Sequence, residues 1–237
     1  MEINKIYNED CYTFLPKLLD KSIDLVLVDV PYELEMNGGC SPQSDFANRK
    51  LIKDKHLKFI ADGFNYDLVF NEFERVCKKI NLLIFCSNKQ IAKIMTYWES
   101  KGCSATLLVW IKPNPIPLAN LKHISNIEFI IFVREKGVTF NKLATNLMLK
   151  TFKYNTPTNR IHPTEKPIEL LSHLLKIHSN KNDVVLDCFS GSGSLANACY
   201  KENRNFICCE IDKDYYLSSL KRHNEFSSQK SFNHIFD

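Results

Sequence analysis

The sequence predicts an α/β protein with a mostly parallel, doubly wound sheet. Short apolar runs typical of buried strands alternate with stretches in which apolar residues recur every three or four positions, as on one face of a helix. Such alternation favours a sheet covered by helices on both faces. A length of 237 residues allows one sizeable core, and no repeat or low-complexity tract marks a second unit. We therefore expect a single domain over residues 1–237.

The elements follow in order along the chain. The first half predicts helices at about 10–19, 73–80 and 91–98, the last ending at Gly102, and strands at 23–28 and 82–86. Strands at 105–111 and 127–133 follow, and we expect them to pair antiparallel across the proline-broken loop 113–125. The remaining chain predicts a helix at about 168–177 and strands at 184–189 and 206–209.

Composition restricts the class of protein. The net charge of +4 is modest, so any nucleic-acid binding must depend on local basic clusters. Nine cysteines are scattered without the spacing of a zinc site, which favours reduced core residues and no metal. Because neither a signal peptide nor an apolar run of membrane-spanning length is evident, we expect a cytoplasmic protein that does not associate with a membrane.

Four residues at the end of a buried strand carry the first chemical signal: Asp29, Val30, Pro31 and Tyr32. An exocyclic amino group on a nucleobase is a poor nucleophile, because its lone pair is delocalised into the ring. The Asp29 carboxylate and the carbonyl of residue 30 are suited to accept its two hydrogens, while Tyr32 stacks on the base. Taken alone, the motif also fits an ordinary Asp-X-Pro turn after a strand.

The second signal is a glycine-rich turn after the strand that begins at Val184. Gly191 and Gly193 let the backbone pass close to a ligand, and the helix that follows offers unpaired N–H groups. Glu210 ends the next strand, where an acid would hold the ribose of a nucleoside cofactor. A dinucleotide site is disfavoured, because only residues 211–237 follow Glu210. We therefore expect N-terminal residues to complete this half of the sheet.

Four blocks in this order resemble the amino DNA methyltransferases of the permuted class often called beta. They are Asp29–Tyr32, Trp110–Pro117, His162–Pro167 and Asp187–Gly193, and the similarity extends from about residue 4 to about residue 220. The resemblance implies a circularly permuted fold of the S-adenosylmethionine-dependent methyltransferase type. One residue departs from the family pattern, because Val30 stands where the family usually has proline.

The resemblance also implies residue roles. S-adenosylmethionine is expected over the carboxyl ends of the strands, and no metal is expected. Its adenine amino group would contact Asp10 and its ribose Glu210, and Cys11 and Asp29 are further expected cofactor contacts. The methionine end would contact the turn and the third block, namely His162, Thr164, Lys166, Asp187, Phe189, Ser190, Gly191, Ser192 and Gly193. A helix opened by Pro167 would also favour the methionine carboxylate. For His162 and Lys166, an ordinary turn residue and a solvent-exposed lysine remain alternatives.

Substrate contacts are expected at three places. Trp110, Lys112 and Asn114 are expected to shape the base pocket. Residues 33–66 look like an insertion rich in basic side chains, among them Arg49, Lys50, Lys53, Lys55 and Lys58. Residues 137–160 look like a second insertion, in which Lys142, Lys150, Lys153 and Arg160 alternate with Phe140, Phe152 and Tyr154, as for phosphate contact and base stacking. A solvated basic surface is the alternative for each.

The function implied is a site-specific methyltransferase for double-stranded DNA that flips a base and methylates its amino group. Adenine N6 is favoured, because cytosine N4 enzymes of the family more often carry Ser where this chain has Asp29. A cytosine N4 enzyme, an RNA or protein methyltransferase of related fold and a non-catalytic DNA-binding relative are the alternatives. A homodimer and a cognate restriction endonuclease, in a bacterial or phage-infected host, are partners that the resemblance leaves open.

Overall fold

The computed structural model describes residues 1–31, 64–115, 117, 123–158, 160–162 and 164–233. Eight strands are described: β1 Lys5–Asn8, β2 Leu25–Asp29, β3 Asn81–Cys86, β4 Ser104–Ile111, β5 Ile127–Arg134, β6 Thr151–Lys153, β7 Val184–Asp187 and β8 Asn205–Glu210. The helices are α1 Cys11–Phe14, α2 Tyr66–Val76, α3 Ile91–Ser100, α4 Ile168–His178, α5 Ser194–Glu202 and α6 Lys213–Asn233. Short 3₁₀ turns occupy Leu15–Lys17 and Thr145–Leu147.

All eight strands form one sheet in the order β1-β8-β7-β2-β3-β5-β4-β6. Every neighbouring pair is parallel except those of β5, which runs antiparallel to both β3 and β4. The predicted α/β class, the mostly parallel sheet and the antiparallel pairing of the strands near 105–133 are therefore confirmed. No helix within the described ranges is long and apolar enough to cross a membrane.

The N-terminal strand completes the C-terminal half of the sheet. β1 lies beside β8 in parallel, with Lys5 opposite Ile207 and Asn8 opposite Glu210. The backbone N–H of Glu9 extends the ladder by donating to the Glu210 carbonyl at 3.1 Å. The expectation that N-terminal residues complete this half is confirmed, and the contact places Asp10 close to the carboxyl end of β8.

The core lies on both faces of the sheet, because β2 and β3 are buried on both sides. Val26 and Val28 of β2 face one apolar cluster, whereas Leu25 and Leu27 face the other. This two-residue alternation is the side-chain period of a strand. Helices α2 and α3 supply Phe70, Phe73, Ile94 and Trp98 to the first cluster, and α4 and α5 supply Leu171, Leu174, Leu195 and Ala198 to the second.

Two predicted helices have different bounds in the structure. The helix expected over 10–19 is a single turn, α1, followed by a 3₁₀ turn with Pro16 near its start. Proline lacks the N–H that would continue an α-helix, which explains the change. The helix expected near 73–80 spans Tyr66–Val76 instead, because the Asn65 side chain caps it by accepting from the Leu68 N–H at 3.2 Å.

The segment 137–160 does not lie wholly outside the sheet, which corrects the sequence prediction. Its residues Thr151–Lys153 form β6, which pairs in parallel with β4 through Val109, Trp110 and Ile111. Phe152 is buried in the same cluster as Trp110, so it is not available to stack on a base. A strand of three residues is too short for its alternation to be recognised in the sequence.

Candidate active site

A cavity of about 360 Å³ opens at the edge of the sheet where β2, β7 and β8 end. Each of these strands ends in an acidic residue that lines the cavity, namely Asp29, Asp187 and Glu210. The three strands are neighbours and parallel, so their carboxyl ends lie together. The N-terminal residues Asp10 and Cys11 line the same cavity. The fold therefore brings the catalytic and glycine-rich blocks together.

Burial changes the acidity of two of these carboxylates. Burial, with the negative charges of Asp29 and Glu210, raises the pKa of Asp187 to about 8 against the opposing effect of the Phe189 N–H. That N–H donates to Asp187 Oδ1 at 3.0 Å. Burial also raises the pKa of Glu210, although its two oxygens accept from the N–H groups of Gly191 at 2.7 Å and Asp212 at 2.9 Å. So many acids in one cavity favour a cationic ligand.

The glycine turn adopts backbone conformations that favour glycine. Gly191 has φ +49° and Gly193 has φ +69°. A Cβ on Gly193 would lie 2.9 Å from Ser219 Cβ of α6, and one on Gly191 would lie 3.3 Å from the ring of His162. Beside them, the buried Ser190 Oγ lines the cavity and has no hydrogen-bond partner among the described residues. The turn therefore offers a ligand a close backbone approach and a hydroxyl.

The block from His162 to Pro167 covers this turn. Burial, with the nearby Lys166 charge, lowers the pKa of His162 to about 4, so its ring is neutral at physiological pH. The ring packs edge-on against Tyr215, and its Nδ1 lies 3.3 Å from the Thr164 N–H. Glu165 Oε1 pairs with Arg222 of α6 at 2.8 Å. These contacts attach the block to α6 and leave His162 and Thr164 lining the cavity.

Asp29, Val30 and Pro31 form the described part of the predicted catalytic turn, and the last two are anchored by hydrogen bonds. Val30 is only 1% exposed, and its N–H donates to the Phe85 carbonyl at 3.3 Å. The carbonyl of Pro31 accepts from Gln90 Nε2 at 2.8 Å. Tyr32 lies outside the described residues. The N–H that valine has and proline lacks therefore finds a partner in the neighbouring strand.

Lys166 lines the cavity and lies between two carboxylates, while its expected contact with the methionine carboxylate stays a prediction. Its Nζ is 2.5 Å from Asp29 Oδ2 and 3.2 Å from Glu128 Oε2, and it also donates to the Thr164 carbonyl at 2.9 Å. Although burial lowers the pKa of Lys166, Asp29 and Glu128 together raise it above its ordinary value. Lys166 is therefore a charged partner of the catalytic turn in this structure.

The residues expected around a base pocket lie elsewhere. Trp110 is a buried core residue whose Nε1 donates to the Tyr154 carbonyl at 2.8 Å, and it does not line the cavity. Asn114 makes two hydrogen bonds to the backbone of Thr156, at 3.0 and 2.8 Å. Lys112 pairs with Glu128 at 2.6 Å. Trp110 and Asn114 thus join the fourth strand to the segment that follows β6.

The predicted DNA-contacting lysines divide into two groups. Lys142, Lys150, Lys153 and Arg160 are exposed on the segment around β6. Arg49, Lys50, Lys53, Lys55 and Lys58 lie outside the described residues. Within the described part of the chain, no group of three or more His, Cys, Asp or Glu side chains is arranged to hold a metal ion.

Sequence reasoning missed four residues at the site. Phe64 and Phe85 line the cavity. Gln90 binds the Pro31 carbonyl, and Glu128 pairs with Lys166. Glu128 carried a signal, because it is the one charged residue within the apolar strand prediction 127–133. Gln90 carried none, since a glutamine between a strand and a helix is an ordinary surface residue.

Comparison with known proteins finds relatives that span nearly the whole chain. The type II methyltransferase M1.MboII of Moraxella bovis is 28% identical over 258 residues, covering 91% of this chain and 94% of that protein. The putative methylase YubD of Escherichia coli is 26% identical, covering 93% and 90%. The crystal structure of an M1.HpyAVI–SAM complex is 26% identical with a TM-score of 0.69, covering 93% of this chain and 98% of that one.

A more distant structure shares the fold. The cytosine-N4-specific PvuII DNA methyltransferase has a TM-score of 0.72 at 14% identity, covering 96% of this chain and 91% of that one. A family model described as DNA methylase, for N6 and N4 enzymes, matches residues 23–221. The matched region contains the catalytic turn, the glycine turn and the lysine between them. This chain therefore belongs to the N6/N4 DNA methylase family.

Proposed function

We propose that this chain transfers a methyl group from S-adenosylmethionine to adenine N6 of a base flipped out of double-stranded DNA. The observation that carries the proposal is the position of Asp29 and Val30 on the wall of the acidic cavity that also contains the glycine turn. A carboxylate and a backbone carbonyl then lie next to the expected methyl donor. The choice of adenine goes beyond membership of the family, because the family includes both N6 and N4 enzymes.

The cavity suits the proposed cofactor. S-adenosylmethionine carries a sulfonium and an ammonium, and both cations match a cavity with Asp10, Asp29, Asp187 and Glu210 in its wall. Glu210 and Ser190 line this cavity, which supports the proposal that Glu210 accepts from the ribose hydroxyls and that Ser190 Oγ and the turn before α5 contact the methionine end. The relative M1.HpyAVI was crystallised as a complex with SAM, which supports the same ligand here. Bound there, the cofactor supplies an electrophilic methyl group.

In the proposed mechanism the protein aligns the amino group and stabilises its change in charge. Asp29 accepts one amino hydrogen and the carbonyl of Val30 accepts the other, so the nitrogen lone pair points out of the ring plane. The nitrogen would gain positive charge as its bond to the methyl carbon forms and the methyl–sulfur bond breaks, which leaves the cofactor sulfur as a neutral thioether, and Asp29 would stabilise that charge. The surplus proton then leaves to water.

Adenine is proposed over cytosine because Asp29 occupies the position where cytosine N4 enzymes more often carry serine. The cytosine-N4-specific PvuII enzyme shares the fold at 14% identity, so it carries no argument about the base. The alternative remains N4 methylation of cytosine. The products differ, since one reaction yields N6-methyladenine and the other N4-methylcytosine.

The surface around β6 is proposed to contact DNA within a single catalytic domain of residues 1–237. Its exposed Lys142, Lys150, Lys153 and Arg160 are suited to phosphate contacts, which would position a duplex without reading its sequence. The predicted insertion 33–66 would contribute further contacts.

A DNA substrate is expected in the cytoplasm of a bacterial or phage-infected cell, so we propose that the protein acts there. The name of the relative M1.MboII is compatible with a restriction partner.

The test is methyl transfer to unmethylated DNA, followed by digestion and nucleoside mass spectrometry. The proposal expects N6-methyladenine at a defined sequence, and no transfer to RNA or protein in parallel reactions. N4-methylcytosine alone would change the base while keeping the mechanism. Transfer only to RNA or protein would overturn the proposed substrate, and DNA binding without any product would indicate the non-catalytic alternative.

A further inference from the structure

Four charged side chains form a continuous line from the fourth strand to the catalytic turn. Lys112 Nζ lies 2.6 Å from Glu128 Oε1, and Glu128 Oε2 lies 3.2 Å from Lys166 Nζ. Lys166 Nζ in turn lies 2.5 Å from Asp29 Oδ2. The side chains of Lys112 and Glu128 are 14% and 18% exposed. Those of Lys166 and Asp29 are 6% and 20% exposed. Charges alternate along the line, so each inner member contacts two opposite charges.

The ammonium of Lys166 is fixed in orientation by its surroundings. A protonated lysine has three N–H donors. Here three acceptors surround them, namely Asp29 Oδ2, Glu128 Oε2 and the carbonyl of Thr164 at 2.9 Å. The ring of Phe85 lies 5.1 Å from Nζ and limits movement on another side. Glu128 and the Thr164 carbonyl therefore bind two of the N–H donors, and the remaining one is available to Asp29.

The proposed reaction gives this arrangement an electrostatic consequence. Methyl transfer places positive charge on the amino nitrogen next to Asp29, and a buried cation at Lys166 would oppose that charge if it were uncompensated. The line of Lys112, Glu128, Lys166 and Asp29 is neutral as a whole, because two ammoniums pair with two carboxylates. Loss of the Glu128 charge would leave the line with a net charge of +1 beside that nitrogen.

We propose that Glu128 is a positioning residue for methyl transfer, acting through Lys166 on the orientation and effective charge of Asp29. The proposal rests on the proposed function of Asp29, but it adds a residue on a different strand. Glu128 does not line the cavity, and its carboxylate reaches the turn only through the lysine. Lys112 supports Glu128 from the far side of the line.

The test uses Glu128→Gln, which preserves shape and removes charge. We expect its single-turnover methylation rate to fall at least about tenfold, or about 1.4 kcal/mol, while S-adenosylmethionine affinity stays within about twofold. The matched control is Glu202→Gln, because Glu202 also pairs with a lysine, Lys176 at 3.3 Å, and its side chain is 11% exposed. That control should keep the normal rate. Glu128→Asp, which retains the charge, should recover part of the loss.

A double-mutant cycle separates positioning from structural damage. If Glu128 acts through Lys166, then Glu128→Gln should lower the rate little further in a Lys166→Met background. Independent, additive losses in the double variant would overturn the proposal. The pH profile gives a second readout: since Glu128 helps to raise the pKa of Lys166, Glu128→Gln should move the alkaline limit of the rate to lower pH. An alkaline limit at the same pH in Glu128→Gln and the wild type would overturn the proposed role of Glu128.

The crystal structure of Glu128→Gln provides a readout that does not depend on activity. The proposal expects Lys166 to leave its position or Asp29 to rotate, with the Asp29–Lys166 contact altered. An unchanged contact would overturn it, even if the wild-type chain methylated nothing. An active wild-type enzyme with a normal Glu128→Gln rate would overturn this inference alone, whereas an inactive wild-type enzyme would overturn the proposed function.

Discussion

Gln90 donates from Nε2 to the carbonyl of Pro31 at 2.8 Å and thereby joins the start of α3 to the catalytic turn. The same Nε2 lies 2.5 Å from the hydroxyl of Tyr66, and Oε1 accepts from the Ser87 N–H at 2.8 Å. Gln90 is 0% exposed, so its amide is fully committed to these contacts. The contact holds the residue next to Val30, whose carbonyl is the expected acceptor for substrate in the proposed mechanism.

Replacement of Gln90 by Met should slow chemistry through loss of this anchor. We expect Gln90→Met to lower the single-turnover rate about tenfold with cofactor affinity nearly unchanged. The free energy of unfolding should also fall by about 1–3 kcal/mol, because buried polar partners are left unpaired. Tyr66→Phe is the matched control, since it removes one partner of Gln90 and keeps the Pro31 contact. Equal rate losses in both variants would contradict a specific role for the Pro31 contact.

Cofactor binding should depend on Glu210. Glu210→Ala removes the carboxylate that accepts from Gly191 and Asp212 and that is placed for the ribose. We expect the dissociation constant for S-adenosylmethionine to rise at least about tenfold, or about 1.4 kcal/mol, in calorimetry without DNA. Glu225→Ala, on the exposed side of α6, should bind normally. Unchanged affinity in Glu210→Ala would remove Glu210 from the site.

The raised pKa of Asp187 predicts how pH affects the stability of the ligand-free protein and its affinity for S-adenosylmethionine. Burial raises that pKa from 3.8 to about 8 in the folded state. The folded protein therefore binds more protons than the unfolded chain between these values, so this group's contribution to stability is lost as pH rises towards about 8.

A cationic ligand favours the ionised carboxylate, so S-adenosylmethionine affinity should increase as pH rises from about 6.5 to about 8.5. Asp187→Asn should bind less tightly and lose most of this pH dependence. Calorimetry in buffers of different ionisation enthalpy would measure the proton released on binding. Affinity that falls over the same interval would show that Asp187 is not the titrating group.

Val30 should not abolish activity, because the mechanism uses a backbone carbonyl that valine and proline both have. Pro31 already biases residue 30 towards an extended conformation. Val30→Pro would lose the N–H contact to Phe85, which at 3.3 Å is long. We expect the rate to change by less than about tenfold, or about 1.4 kcal/mol. A natural chain inactive on every DNA tested, with activity restored in Val30→Pro, would favour the non-catalytic alternative.

The sequence predicted the parts of the site that are local in the chain. Asp29, Asp187 and Glu210 were recognisable because each ends an apolar run, and parallel strands bring such ends together. The few residues that follow Glu210 also predicted that N-terminal residues complete this half of the sheet, although the strand β1 itself was not predicted. The family resemblance placed the three carboxylates in one cofactor site before their geometry was known.

The contacts between distant segments were not predictable from local patterns. Lys166 was expected near a ligand carboxylate, whereas its actual partners are 137 and 38 positions away in the chain, Asp29 and Glu128. Gln90 and Glu128 act through side-chain contacts that no spacing rule encodes. Trp110 and Phe152 looked like base-stacking residues, yet β6 covers the edge of β4 and both rings lie in the core. Aromatic residues in a strand have this ambiguity, because the same ring suits either environment.

The central claim is that Asp29 accepts an amino hydrogen of the target base. Its most direct test is the single-turnover rate of Asp29→Ala with enzyme and S-adenosylmethionine in excess over DNA, beside calorimetry of cofactor binding and thermal unfolding. We expect the fold and cofactor affinity to be retained and the rate to fall by at least about two orders of magnitude. A near-normal rate in Asp29→Ala would contradict the account.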